Sequence, residues 1–373
     1  MDEDLPGELL ALGSGAGLDL VGISSAEPFA ETRRTLEERK AAGLHGGMRF
    51  TYGDPSRSSD PGRALPGARA LVVGARTYGR AGDGPGSGVG GRPRGVVARY
   101  SWADHYAPLR AGLETIAARL RVEGFGARVL CDDNGLVDRA AAERAGLGFF
   151  GKNSLLLLGD RGSWFLLGSV VTDAPLAEGI EAVPRDRAQG CGTCRRCLQA
   201  CPTGALVADG VLDARRCLAW LLEAPGTFPP EHREALGGRV YGCDDCQTAC
   251  PINRRADRDS PPPGAGPGEE PTVDLLELLG SSDEELLARF GRWYIPRRQA
   301  RYLRRNALVA LGNVAEGADP GVAGALGRAL ADPDPLIRGH AVWAAVRLGR
   351  TDLADGLAAS ETDPGVLLEL AGR

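Results

Sequence analysis

Eight of the nine cysteines fall between Cys191 and Cys250, and their spacing is that of ligands. Cys191-Gly-Thr-Cys194-Arg-Arg-Cys197-Leu-Gln-Ala-Cys201-Pro202 reads C-x2-C-x2-C-x3-C-P. Three thiolates so close in sequence can wrap three irons of a cubane through one tight loop. The fourth then begins the next segment and serves a second cluster. The proline after it has no N–H to donate and a fixed φ, which sets the exit direction. Cys243-Asp-Asp-Cys246-Gln-Thr-Ala-Cys250-Pro251 repeats the pattern without its leading cysteine, which Cys217 can supply from upstream. By the crossing of the fourth ligand, Cys191, Cys194, Cys197 and Cys250 would hold one [4Fe-4S] cluster. Cys201, Cys217, Cys243 and Cys246 would hold the other.

Structural zinc also uses paired C-x2-C. It does not account for three cysteines in one C-x2-C-x2-C turn or for two Cys-Pro endings, so the spacing points to iron–sulfur. Cys131 stands alone and reads as a buried thiol. Two adjacent clusters conduct electrons but do no chemistry by themselves. The large segment before them is where a reducible group belongs.

The rest of the chain fits a soluble, multidomain protein. Its 373 residues suggest two or three domains, and 43% apolar residues suffice for a real core. No apolar run is long enough to span a membrane. The acidic start, Met1-Asp2-Glu3-Asp4, lacks the basic opening of a secretory leader, so a cytoplasmic protein is expected. Net charge is −5, which does not favour nucleic acid across the whole surface but leaves room for a local basic patch. Of the 44 basic residues 42 are Arg; Lys40 and Lys152 are the only lysines.

Residues 1–180 read as one α/β (α+β) unit. Helices are expected at 8–16, Tyr106–Val122 and 137–145, and strands at 18–23, 70–74 and 127–130. Segments 155–158 and 164–171 read as a buried hairpin around the turn at 159–162, and 82–95 as a surface loop. Residues 181–256 form the cysteine domain. Residues 257–272, rich in Pro and Gly, form a flexible linker. Residues 273–373 are helical, with related apolar patterns at 305–313 and 337–349 that suggest stacked HEAT-like hairpins.

The run Leu136-Val-Asp-Arg-Ala-Ala-Ala-Glu-Arg-Ala-Gly-Leu-Gly-Phe-Phe-Gly-Lys-Asn153, the ferredoxin-like cysteine run and Tyr241-Gly-Cys-Asp-Asp-Cys-Gln-Thr-Ala-Cys-Pro251 together resemble the epoxyqueuosine reductase family. Gly43-Leu-His-Gly-Gly-Met48 and Arg305-Asn-Ala-Leu-Val-Ala-Leu-Gly-Asn313 extend the resemblance over nearly the whole chain. It implies a cobalamin enzyme related to corrinoid reductive dehalogenases, with a nitroreductase-like cofactor domain. The family's reaction reduces the epoxide of epoxyqueuosine, at the wobble base of tRNA, to the alkene of queuosine. Electrons would come from an external low-potential donor through the two clusters to cobalamin.

The resemblance assigns Asp138 as the acid that protonates the oxygen of the opened epoxide, a role suited to a carboxyl held protonated beside an apolar ring. It places Arg57, Tyr100, Asp138, Gly162 and Asp173 at the corrin. The chain departs from the family at Ala219 and Trp220, in the stretch 221–229, and at Asp104-His105-Tyr106; residues 257–271 look inserted.

A tRNA anticodon stem-loop also fits a local feature. Arg292, Arg297, Arg298, Arg301, Arg304 and Arg305 place six arginines within 14 residues, interleaved with Trp293, Tyr294 and Tyr302. Such a patch offers phosphate contacts and stacking faces, and Arg297, Arg298, Arg301, Arg304 and Arg305 are the expected tRNA contacts. The protein is expected to work as a monomer. The rival readings are a sister corrinoid reductase acting on an organohalide or other small molecule, and a non-catalytic electron-transfer module.

Overall fold

The computed structural model describes residues 4–78, 91–177, 188–259 and 268–372. The chain divides into two compact units that alternate along the sequence. The first comprises 1–81, 104–215 and 245–262; the second comprises 82–103, 216–244 and 263–373.

The first unit is built on an antiparallel sheet with helices on both faces. Its strands are β1 (Leu20–Ser25), β2 (Ala70–Thr77), β3 (Ala127–Cys131) and β4 (Phe165–Thr172), in the order β1-β2-β4-β3. Gly74 lies opposite Gly168 across β2 and β4. These glycines leave room for Leu113, which a Cβ at either position would crowd. Leu113 belongs to the apolar stripe Leu109, Leu113, Ile116 and Leu120 of α2 (Tyr106–Val122), which packs beside α1 (Leu5–Gly15). The other face takes Leu71, Val73 and Ala75 against Ala140, Ala141 and Ala142 of α3 (Asp138–Arg144). Covered on both faces, β2 and β4 read as continuous apolar runs rather than alternating ones.

That double cover corrects the expected hairpin. Leu156–Leu157 pairs with Phe149–Phe150, and across the turn only a single bridge joins Leu158 to Gly162. All eight residues of β4 are buried, and both its edges are taken by β2 and β3. The unit closes with α4 (Pro251–Asp259), which leads out of the last cysteine.

The second unit holds a three-stranded sheet, Arg239–Tyr241 beside Arg94–Val97 beside Thr272–Asp274. Among its helices are α5 (Arg301–Val314), α6 (Pro320–Leu330), α7 (Pro335–Arg347) and α8 (Pro364–Ala371); α7 packs against each of the other three. The last three begin alike. Asp319, Asp334 and Asp363 each precede a proline and accept a backbone N–H within the first turn. An aspartate cap before a proline at the first helical position satisfies one orphan amide and presets φ.

Two expectations about loops change. Arg94 and Gly95, expected in a loop, are strand residues, while 82–90 lies outside the described residues. Of the expected linker, 257–259 is helical, Thr272 is in a strand, and 260–267 lies outside the described residues. No helix among the described residues is long and apolar enough to cross a membrane.

Candidate functional site

Asp138 opens α3 just past the end of β3, on the side of the sheet where β4 begins. Burial pushes its carboxyl well above the usual carboxylate range; Asp132 and Asp133 add to this, and Arg139 opposes it. The effect is to favour the protonated form of the acid. Tyr106, at the start of α2, is governed by the same surroundings. Its phenol is raised by burial and then by Asp132 and Asp138, so it stays a neutral O–H. Burial pushes the Cys131 thiol up to about 12, so Cys131 is an inert core thiol as expected.

Polar groups gather at Arg139, the residue after this acid, with Tyr52 and Tyr106 among them. Arg139 donates to the Ser154 carbonyl at 2.6 Å, and the Thr51 amide donates to Asn134 Oδ1 at 3.1 Å. His45 lies against Tyr52, with ring centroids 5.7 Å apart. His45 Nδ1 and Ser154 Oγ are both inaccessible to water and without a hydrogen-bond partner. Unpaired buried polar atoms are costly unless a ligand supplies the partner. A carboxyl raised toward its protonated form, with unpartnered polar atoms on nearby segments, fits a large cofactor with a polar periphery, such as cobalamin. Sequence reading quoted His45 only within a motif, and passed over Tyr52, Asp132 and Ser154, which carry no spacing signal.

The other expected corrin residues scatter. Gly162 sits in the turn before β4 with φ 67°, and a side chain there would collide with Asn253. Asp173 follows β4 at its far end, about 25 Å away at the usual strand rise; there it accepts the Gly126 amide at 2.9 Å. Arg57 is exposed in the short helix Pro55–Ser58. Tyr100 belongs to the second unit, donating to Glu223 at 2.9 Å and lying near Tyr241. Asp173 thus stands at the opposite end of β4 from Gly162, and Tyr100 belongs to the second unit.

No disulfide joins any of the nine cysteines, all of which lie among the described residues. Cys191, Cys194, Cys197, Cys201, Cys246 and Cys250 belong to the first unit, and Cys217 and Cys243 to the second. Burial, with the neighbouring Cys191 and Cys250 adding to it, pushes the Cys197 thiol up to about 11. Cys250 therefore lies by the first loop although it comes 53 residues after Cys197. The Ala205 amide donates to Cys201 Sγ at 3.1 Å, a contact that suits a cluster thiolate. An all-thiol donor set with amide support fits iron–sulfur clusters.

Asn253, three residues past Cys250, was missed by sequence reading. It is fully buried, and its Oδ1 accepts the Ser163 amide at 2.7 Å. Gln247, between Cys246 and Cys250, donates to the Ser163 carbonyl and hydroxyl at 3.1 and 3.0 Å. Together they fasten the second cysteine run to the turn before β4. An open depression of about 410 Å³ beside this joint is lined by Gly159, Pro251, Ile252 and Arg255.

The arginine patch needs correction. Arg305 is fully buried and donates to the carbonyls of Leu221, Leu222, Ala224 and Gly226 at 2.7–3.0 Å. It caps the C-terminal end of the helix Leu218–Glu223 and offers nothing to RNA. Arg304 binds Asp283 and the Ser281 carbonyl, and Arg301 pairs with Asp334 at 3.0 Å. Trp293 is stacked between Phe290 and Tyr241 in the core, and Tyr302 is buried too. Arg297, Arg298 and Tyr294 remain exposed. Arg297 and Arg298 both have positive φ, at 53° and 56°, a strained conformation for two successive arginines.

Comparison with known proteins covers the whole chain. Residues 190–253 match the model of a 4Fe-4S double cluster binding domain. The epoxyqueuosine reductase of Bacillus cereus is 32% identical over 99% of this chain and 96% of its own length. That of Pseudomonas aeruginosa is 37% identical over 91% of this chain and 93% of its own. Among solved structures, an epoxyqueuosine reductase with an epoxyqueuosine-modified tRNA-Tyr stem loop superposes with a TM-score of 0.87 at 31% identity, covering 98% of this chain and 97% of that one. The Bacillus subtilis reductase, with its catalytic aspartate loop swung out of the active site, gives 0.85 at 32% identity over the same shares.

Proposed function

Because the chain belongs to the epoxyqueuosine reductase family, we propose that it reduces epoxyqueuosine, at the wobble position of tRNA, to queuosine. The observation that carries this reading is the Asp138 carboxyl, raised by burial inside the chain's match to that family. Turning an epoxide into an alkene consumes two electrons and two protons and releases the oxygen as water. Cobalamin, when bound, would supply the electrons at carbon. Asp138, whose carboxyl is raised toward its protonated form, delivers its proton to the oxygen as the C–O bond opens, where an alkoxide would otherwise form, and the second proton comes from solvent. Arg139, tied to the Ser154 carbonyl, braces the start of α3. Tyr106, neutral for the same reason as Asp138, serves as a hydrogen-bond donor at the same place.

The cofactor reading keeps Asp138, Arg57, Gly162, Asp173 and Tyr100 as candidate corrin contacts, on the strength of the resemblance. Cys191, Cys194, Cys197 and Cys250 would hold one [4Fe-4S] cluster, and Cys201, Cys217, Cys243 and Cys246 the other. An external low-potential carrier feeds them one electron at a time. The functional order along the chain would be cofactor domain 1–180, nitroreductase-like; ferredoxin-like cluster domain 181–256; and HEAT-like helices 273–373. The helical part would offer Arg297, Arg298 and Tyr294 to the anticodon stem-loop. The enzyme would act as a cytoplasmic monomer.

The test is anaerobic turnover of tRNA carrying epoxyqueuosine, with added cobalamin and a strong reductant, read by mass spectrometry of the released nucleosides. Queuosine is the expected product. Its absence, in a preparation holding both clusters and cobalamin, would overturn the substrate assignment.

A further inference from the structure

Gly148-Phe-Phe-Gly-Lys-Asn153 follows α3, yet it takes no part in the acid chemistry. It touches the first cysteine loop twice. A methyl group on Gly190 would collide with the Phe149 ring, so the entry to the loop lies directly against that ring. The Lys152 ammonium then donates to the Gly192 carbonyl at 2.8 Å, in the gap between Cys191 and Cys194.

The same ammonium meets Asp209 at 3.1 Å, and Arg195, the residue after Cys194, reaches the other oxygen of Asp209 at 3.1 Å. Two cations thus share one carboxylate beside the loop, and one positive charge is left over. The Lys152 side chain is only 19% exposed, so little of that charge is screened by water. The backbone of Lys152 is held as well, since its carbonyl accepts the Gly210 amide at 2.9 Å. The compact ammonium joins one carbonyl and one carboxylate here, concentrating its charge at a single point beside the loop.

We propose that Lys152 is a positioning residue for the first cysteine loop, fixing the Gly192 carbonyl and placing positive charge where it favours the reduced form of the cluster held there. The inference rests on reading Cys191, Cys194, Cys197 and Cys250 as one cluster's ligands. Reduction adds a negative charge to the cluster, and a partly buried cation beside it lowers the free energy of that state.

The experiment is anaerobic redox potentiometry of the full-length holoprotein, followed by electron paramagnetic resonance. Iron and sulfide are assayed in the parent, in Lys152→Met and in Asp209→Asn. A parent without iron and sulfide would sink the cluster reading itself, not this inference. Lys152→Met is expected to lower the midpoint of one cluster and leave the other in place. The ratio of reduced to oxidised cluster at the parent's midpoint should fall about tenfold, or 59 mV for a one-electron couple. Asp209→Asn removes the countercharge and should move the same cluster the opposite way. Unmoved midpoints, or shifts of one sign in both variants, would overturn the proposal. If Lys152→Met loses iron, Asp209→Asn decides alone, and a fall or no shift there overturns it.

Discussion

Ser163 and Asn253 hold each other by two hydrogen bonds: the Ser163 amide donates to Asn253 Oδ1 at 2.7 Å, and Asn253 Nδ2 donates to the Ser163 hydroxyl at 2.9 Å. The first residue precedes β4 and the second follows the last cysteine, so a joint between residues 90 positions apart carries the second cysteine run. Asn253→Ala should leave the Ser163 amide and the Gln247 carbonyl buried without partners, at a cost of about 2–3 kcal/mol. We expect the melting temperature to drop by roughly 5–10 °C. Asn253→Asp, which keeps the acceptor to the Ser163 amide, should lose less. Equal melting temperatures for Asn253→Ala and the parent would show that the joint is not a stabilising one.

Asp138→Asn should keep iron, sulfide and melting temperature while cutting turnover by roughly 10²–10⁴-fold, the usual range for removing a general acid. The pH dependence has a definite sign. The folded carboxyl is raised, so the proton donor persists above the ordinary carboxylate range, and the rate falls only as pH climbs through the raised value. That alkaline limb should vanish in Asp138→Asn. A variant with the parent's rate and profile would remove the residue from the mechanism.

The arginine patch separates into two kinds of residue that one pair of measurements distinguishes. Arg297→Ala and Arg298→Ala should each weaken tRNA binding and reduce the slope of log affinity against log salt by about 1, with the melting temperature unchanged. Arg305→Met should do the reverse. Burial lowers its guanidinium to about 9, so it is still charged at neutral pH, and its removal takes a donor from the carbonyls of Leu221, Leu222, Ala224 and Gly226, of which Leu221 and Leu222 are buried. A loss of about 3–5 kcal/mol is expected.

His340 gives the second unit an acid-sensitive centre. It is buried, with Nε2 accepting the Phe228 amide at 3.1 Å and Nδ1 donating to the Leu336 carbonyl at 2.7 Å. Burial, aided by Arg233, lowers its pKa to about 3. Between pH 6.5 and about 3 the unfolded chain takes up a proton that the folded chain refuses. Stability held above pH 6.5 should therefore be lost on acidification, by at most about 1.4 kcal/mol per pH unit. Urea unfolding followed by tryptophan fluorescence, with Trp102, Trp220, Trp293 and Trp343 in this unit, would measure it. His340→Gln should flatten that part of the curve.

What could be read from sequence follows from the range of the interactions involved. The cysteine runs were legible because cluster ligation is written in gaps of two and three residues. The stripe of α2 was legible because helical periodicity is local. The hairpin was misread because 155–158 and 164–171 are both apolar and adjacent, whereas the edges of β4 are claimed by β2 and β3 from much earlier in the chain. Arg297 and Arg305 look alike in sequence and differ only in which face of the packing they occupy. Asn253 gave no signal, because a single polar residue reports its burial only when its distant partner is known. Asp138 needed both kinds of information: the family motif named it, and burial supplied the chemistry.

The alternation of the two units along the chain sets a timetable for synthesis. The first unit cannot be completed until residues 245–262 are made, and the stretch 216–244, which belongs to the other unit, comes before them. At about 5–20 residues per second, Cys191 to Cys201 are synthesised roughly 2–12 seconds before Cys250. A nascent chain in that interval offers a partial ligand set to any metal in the cell. No single cut in the gene would yield either unit as one uninterrupted piece.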